Sequence, residues 1–211
     1  MAASGRKTKR RRSASTQRRN GRTAQASRRN GSKKDAIALL KADHRQVEQW
    51  FEQFEKARSD DRKAELAEKI CIALTAHTII EEEIFYPEFL KATDETDLHH
   101  EAEVEHDGAK NLIAQIEAAG PDDEYFDAKV TVLSEMIKHH VKEEEKPGGM
   151  FTKARQADMD LEMLGERLQA RKDQVMQDGA SRSGQRGSFG GGAMFRQKQR
   201  EQRNETGRRM T

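Results

Sequence analysis

One cysteine, Cys71, is all the chain holds, so no disulfide can form within it, and the pattern suits a reducing compartment. Long apolar runs are missing as well: none approaches the roughly 18 residues that a membrane-spanning helix needs. No large apolar residue stands between Met1 and Ile37, which excludes a secretory signal core and an amphipathic import helix alike. Acids are absent from the first 34 residues, where 13 are Lys or Arg. A soluble, cytoplasmic protein without a membrane partner is expected.

Hydrophobic residues make up 34% of the chain and charged ones 36%, which is too apolar-poor to fill all 211 residues around one core. The net charge of +2 conceals three regions. Residues 1–34 carry +13. Residues 179–211, with 8 basic and 2 acidic side chains, carry +6. Between them, 18 basic and 35 acidic residues give −17. The arms are Arg-, Ser-, Gly- and Gln-rich, with a near-repeat at Gln17–Gly21 and Ser27–Gly31 and three glycines at 190–192. Such segments cannot bury enough to fold, so 1–34 and 179–211 are expected to be disordered tails around a folded body at 35–178.

The body reads as helix throughout. Asp35 is a plausible N-cap for a first helix to about Ala57, with Ile37, Leu40, Val47, Phe51 and Phe54 on its seam. A second covers about 62–91, with Leu66, Ile70, Leu74 and Ile84 inward and Pro87 set to kink or end it. A third spans about 95–118 along Ala102, Ala109, Ile113 and Ile116. After the turn at Gly120-Pro121-Asp122 a fourth spans about 123–146, with Phe126, Val130, Leu133 and Ile137 inward. A fifth, about 151–177, carries Leu161, Leu164 and Leu168 on one stripe and is expected outside the bundle. Four amphipathic helices of similar length with short turns make an all-α, up-down-up-down four-helix bundle with an extra C-terminal helix.

Polar residues intrude on every seam. His44, His77, His106 and His140 point inward from the four helices in turn, and Glu81 and Glu144 follow His77 and His140 by four residues. That spacing stacks two side chains on one helix face, so a His-x-x-x-Glu pair can close on one ion or join two. Imidazole with carboxylate suits iron, and also manganese or zinc. Six such groups exceed what one tetrahedral zinc takes and suffice for two ions if the glutamates bridge. Unpaired, they would be costly to bury. Glu82, Glu83 and Glu143 read as solvent-facing neighbours, with Glu145 kept as an alternative ligand to Glu144; His99, His100 and His139 read as surface residues.

The run of His44, then His77-Thr78-Ile79-Ile80-Glu81-Glu82-Glu83-Ile84-Phe85-Tyr86-Pro87, then Glu105-His106-Asp107, then His139-His140-Val141-Lys142-Glu143-Glu144-Glu145 resembles the hemerythrin-like (HHE) cation-binding domain over about residues 36–175. The resemblance implies a bundle holding two non-haem irons, with His44, His77, Glu81, His106, His140 and Glu144 as ligands and both glutamates bridging. Two departures from the oxygen-carrying pattern stand out: Lys110 where a second third-helix histidine is wanted, and Glu145 where an aspartate is wanted. They turn the expectation away from oxygen carriage and towards sensing of oxygen, nitric oxide or peroxide, iron handling, or weak peroxidase or ferroxidase chemistry. The ferritin-like pattern of Glu-x-x-His on two helices is absent, since only Glu103 and His106 have that spacing. The basic tails make non-specific nucleic-acid binding a further expectation.

Overall fold

The computed structural model describes Met1 and residues 35–186, with side chains through residue 178. The tails expected at 1–34 and beyond 186 lie outside the described residues. Within them the elements are α1 (Ala36–Lys56), α2 (Asp60–Ile80), a π-helical turn (Glu81–Phe85), α3 (Tyr86–Thr93), α4 (Thr96–Ala119), α5 (Phe126–Glu145), α6 (Met150–Gln156) and α7 (Leu161–Arg186). No strand occurs among the described residues, and no helix there is long and apolar enough to cross a membrane.

Asp35 caps α1 as expected, its carboxylate accepting from the Ala38 N–H at 2.7 Å. The four bundle helices are α1, α2, α4 and α5, and their apolar residues fall into two clusters. One contains Val47, Phe51, Leu66, Ile70, Ile113 and Leu133. The other contains Ile37, Leu40, Ile80, Phe85, Phe89, Ala102 and Phe151. α1 and α4 run from the second cluster towards the first, and α2 and α5 run back. That order is the up-down-up-down bundle. A polar layer lies between the clusters on all four helices: His44, His77 with Glu81, His106, and His140 with Glu144.

Three details differ from the pattern read in the sequence. The second helix neither ends nor breaks at Pro87. It widens into the π turn just before the proline, where the Tyr86 N–H reaches back to the Glu81 carbonyl. In a regular helix the proline ring would meet the carbonyl four residues back, and the wider turn makes room for it. The same widening shifts the inward face: Phe85 and Tyr86 are fully buried, while Ile84, expected inward, is only partly so. The expected single fifth helix is two. Asp160 stops the short α6 from continuing by capping α7, its carboxylate accepting from the Met163 N–H at 2.9 Å. α7 then packs Leu164 and Leu168 into the second cluster and runs past the boundary expected at residue 178.

The return from α5 to α6 is tight. A Cβ on Gly149 would collide with the carbonyl oxygens of Glu143 and Glu144, both backbone atoms that cannot swing aside. On Gly108 of α4 it would meet only the Met136 Cε, at 2.7 Å, the free end of a flexible side chain. Gly149→Ala is therefore expected to cost about 1–3 kcal/mol in urea unfolding. Gly108→Ala should be near neutral, because better helix propensity, about 1 kcal/mol, offsets the displaced methionine.

Candidate metal centre

All six inward polar residues meet in the middle layer at 5% exposure or less. The imidazoles form two pairs. His44 Nε2 lies 3.0 Å from His77 Nε2, and His106 Nε2 lies 3.3 Å from His140 Nε2. Each glutamate spans both pairs. Glu81 Oε2 is 3.1 Å from His77 Nε2 and 3.4 Å from His106 Nε2. Glu144 Oε2 is 3.5 Å from both His44 Nε2 and His140 Nε2. Two donor triads result, His44/His77/Glu81 and Glu81/His106/His140, with Glu81 common to both.

Tyr86 completes the layer. Its hydroxyl donates to Glu144 Oε1 at 3.2 Å and lies 3.2 Å from His106 Nε2 and 3.5 Å from Glu81 Oε2. Its reach into the centre follows from the π turn that precedes it.

The outward face of each imidazole meets a carboxylate. His44 Nδ1 faces Glu145 at 2.9 Å, His106 Nδ1 faces Glu82 at 3.0 Å, and His140 Nδ1 faces Glu105 at 2.8 Å. His77 Nδ1 is held more loosely, 3.5 Å from Asp43 Oδ2 and without a better hydrogen-bond partner. An acid at Nδ1 keeps the proton there and turns the Nε2 lone pair inward. Outside the acids comes a second ring of bases. Lys41 pairs with Glu145, Lys110 with Glu82, Lys172 with Asp43, and His139 with Glu105. Glu82, expected among the solvent-facing neighbours, and Glu145, kept as an alternative ligand, are thus part-buried groups behind imidazoles: Glu145 stands behind His44 while Glu144 faces the centre.

These acids have a signature in the sequence that is invisible helix by helix. Each adjoins an inward residue of its own helix: Asp43 precedes His44, Glu105 precedes His106, Glu82 follows Glu81 and Glu145 follows Glu144. One residue turns the side chain by about 100° around a helix. Reversing the helix direction reverses the sense, so a preceding acid on α1 and α4 and a following acid on α2 and α5 all turn the same way. Each acid therefore reaches the histidine of the next helix round the bundle, and the ring closes.

The donor set fits a cation. Among the described residues the ion-pair partners of the Glu81 and Glu144 carboxylates are all histidines, and Glu81 Oε1 and Glu144 Oε2 have no hydrogen-bond partner there. Burial and the neighbouring Glu81 charge push the Glu144 carboxyl up to about 7. Burial works against the charged imidazole at His77 and at His106, yet Glu81 and the outer acids outweigh it and raise them to about 10 and about 9. Burial brings His44 down to about 4, while hydrogen bonds from His44 and Lys41 hold Glu145 at about 2. A neutral imidazole donating to an ionised carboxylate satisfies both. Protons on imidazole are thus what balance the acids when no cation does, and an ion about 2.1 Å from each nitrogen of a pair fits the observed spacing.

A family model described as the hemerythrin HHE cation-binding domain matches residues 35–147. A curated relative from Nostoc sp., described as a DNA nickase, is 30% identical over 107 residues, which are 51% of this chain and 30% of that protein. The chain therefore spans less than a third of that relative's length. Among solved structures, a hemerythrin HHE cation-binding domain-containing protein from Mycobacterium kansasii is 23% identical with a TM-score of 0.59, covering 71% of this chain and 91% of that one. At that identity the likeness shows the fold.

Raised pKa values at His77, His106 and Glu144 mean that the folded chain keeps protons that the unfolded chain gives up. For the two histidines that stability is whole below about 6.5, their unfolded value, and is lost as pH climbs towards 9 and 10. Protein stripped of cations by a chelator should show a falling urea midpoint between pH 6.5 and pH 9. A flat or rising midpoint would contradict the charge balance described above.

Proposed function

The chain belongs to the hemerythrin HHE cation-binding domain family, and from that premise we propose that it is a non-haem metal protein holding two irons. The proposed ligands are His44, His77, Glu81, His106, His140 and Glu144, with manganese or zinc as the less suited occupants. The observation that carries this is the pair of glutamates, each within 3.5 Å of imidazoles from both pairs, buried and with no other compensating charge. Two imidazoles and two shared carboxylates for each ion leave an octahedral ion short of ligands, which gives a small molecule a place to bind.

We further propose that this small molecule is oxygen, nitric oxide or a peroxide, met in a sensing, stress or iron-handling role. Bound iron would supply one-electron and oxygen chemistry there. The chain's own residues orient the ligands, exclude bulk water through Phe85 and Phe151, and place the Tyr86 hydroxyl as a hydrogen-bond donor inside the layer. Lys110 supports sensing over oxygen carriage. Where a carrier would have a ligand, this lysine lies at the surface on Glu82, behind His106.

Metal analysis of protein purified without added metal is expected to give two irons per chain. His77→Ala should lose most of the iron, and Glu81→Gln should lower occupancy of both positions together, since it serves both triads. The anaerobic iron-loaded protein should change its absorption on addition of nitric oxide. An iron-free chain, or iron unaffected by both substitutions, would end the proposal.

A second reading concerns nucleic acid. It is favoured by 13 basic residues without one acid in 1–34, and by the similarity to a protein described as a DNA nickase. Phosphate binding by such an arm falls steeply with salt. A gel shift is expected at low salt, weakening at higher salt, and lost on deletion of residues 1–34. Equal binding by the truncated chain would remove this reading.

A further inference from the structure

The two halves of the centre are held in place by different parts of the chain. Around His106 and His140 every outer partner belongs to the bundle: Glu82 with Lys110, and Glu105 with His139. Around His44 and His77 the segment beyond residue 147 takes part. Phe151 of α6 stacks on the His44 ring, centroids 5.7 Å apart and planes within 10°. Lys172 of α7 donates to Asp43 Oδ1, while Asp43 Oδ2 faces His77 Nδ1. From within the bundle, Glu145, with Lys41, faces His44, and Asp43 faces His77 only loosely.

The Asp43–His77 contact is the loosest of the four, and neither of its two facing atoms has another hydrogen-bond partner. The carboxylate is therefore set by what grips its other oxygen. α7 is itself seated by Leu164 and Leu168 in the core. Two further bonds pin it to the stretch that follows Glu81: Arg171 to Glu83 at 2.7 Å and Arg167 to Glu88 at 3.1 Å.

We propose that the two ion positions are unequal, and that α6 and α7 govern retention at one alone, the His44/His77/Glu81 position. Lys172 is the positioning residue: it fixes Asp43, and Asp43 fixes His77. The inference rests on the two-ion reading above and adds to it a division of labour. With Lys172 gone, a part-buried carboxylate loses its cation and His77 loses its oriented acceptor. The other half, held by α3, α4, α5 and the π turn, keeps all of its contacts.

The test is release of Fe(II) from the anaerobically loaded full-length protein into a coloured chelator, followed in time. Wild-type protein is expected to release its two ions in two phases. Lys172→Met should speed one phase by about tenfold or more, the usual scale for losing an outer partner of a ligand, and leave the other within about twofold. Lys172→Arg should restore the slow phase. Gln169→Ala, which removes an exposed hydrogen bond to Asp173 within the same helix, should move neither phase. Glu105→Gln should speed the opposite phase from Lys172→Met, which assigns each phase to its position. A single phase in the wild type, equal acceleration of both phases by Lys172→Met, or no acceleration while circular dichroism shows the helices intact would overturn the proposal. Wild-type protein that loads no iron would instead remove the two-ion reading beneath it.

Discussion

Two carboxylates, Glu81 and Glu144, lie fully inside a helical bundle with imidazoles as their counterions among the described residues, and the rest of the architecture answers to that constraint. A buried acid without compensation costs several kcal/mol, so the layer that holds them has to be neutralised by protons or by cations. The bundle confines the problem to a single layer. Above and below it the four helices carry ordinary apolar seams, closing into two separate clusters.

Charge alternates outward from that layer. Imidazoles surround the two inner acids, carboxylates stand behind the imidazoles, and lysines or a further histidine stand behind those carboxylates. Part of the acidity of the body, −17 over residues 35–178, thus has a use: four of these acids set the tautomer and tilt of four rings. Because each reaches the histidine of the neighbouring helix, the rings are tied round the bundle in one rotational sense. A helix that shifted would drag its neighbour's histidine with it.

The four seams and the six inward residues were legible in the sequence because burial at helical period is a local property. A histidine between Leu40 and Val47, or between Ala102 and Ala109, can point only where those residues point. The outer acids were not legible in the same way. Glu82 and Glu145 sit one step off an inward residue, the position of a solvated side chain when a helix is read alone, and only the neighbouring helix makes them part of the centre. Ile84 left the inward face for a different reason. A π turn adds a residue to the period, and no propensity of Glu81–Phe85 announces it. Pro87 is its one trace in the sequence, and it reads equally well as a helix end.

Confining the polar groups to one layer also links what the centre holds to how well the bundle stands. If cations occupy the layer, they replace protons on His77 and His106 and give Glu81 and Glu144 partners that no side chain supplies. The free energy of filling then adds to that of folding. If the layer is filled by protons instead, His77 and His106 oppose folding as the solution grows more alkaline. An apolar layer of equal volume would have been indifferent to both, and a bundle built that way would not need the outer acids. Their presence behind every ring is what a layer that receives ions in a fixed geometry would need.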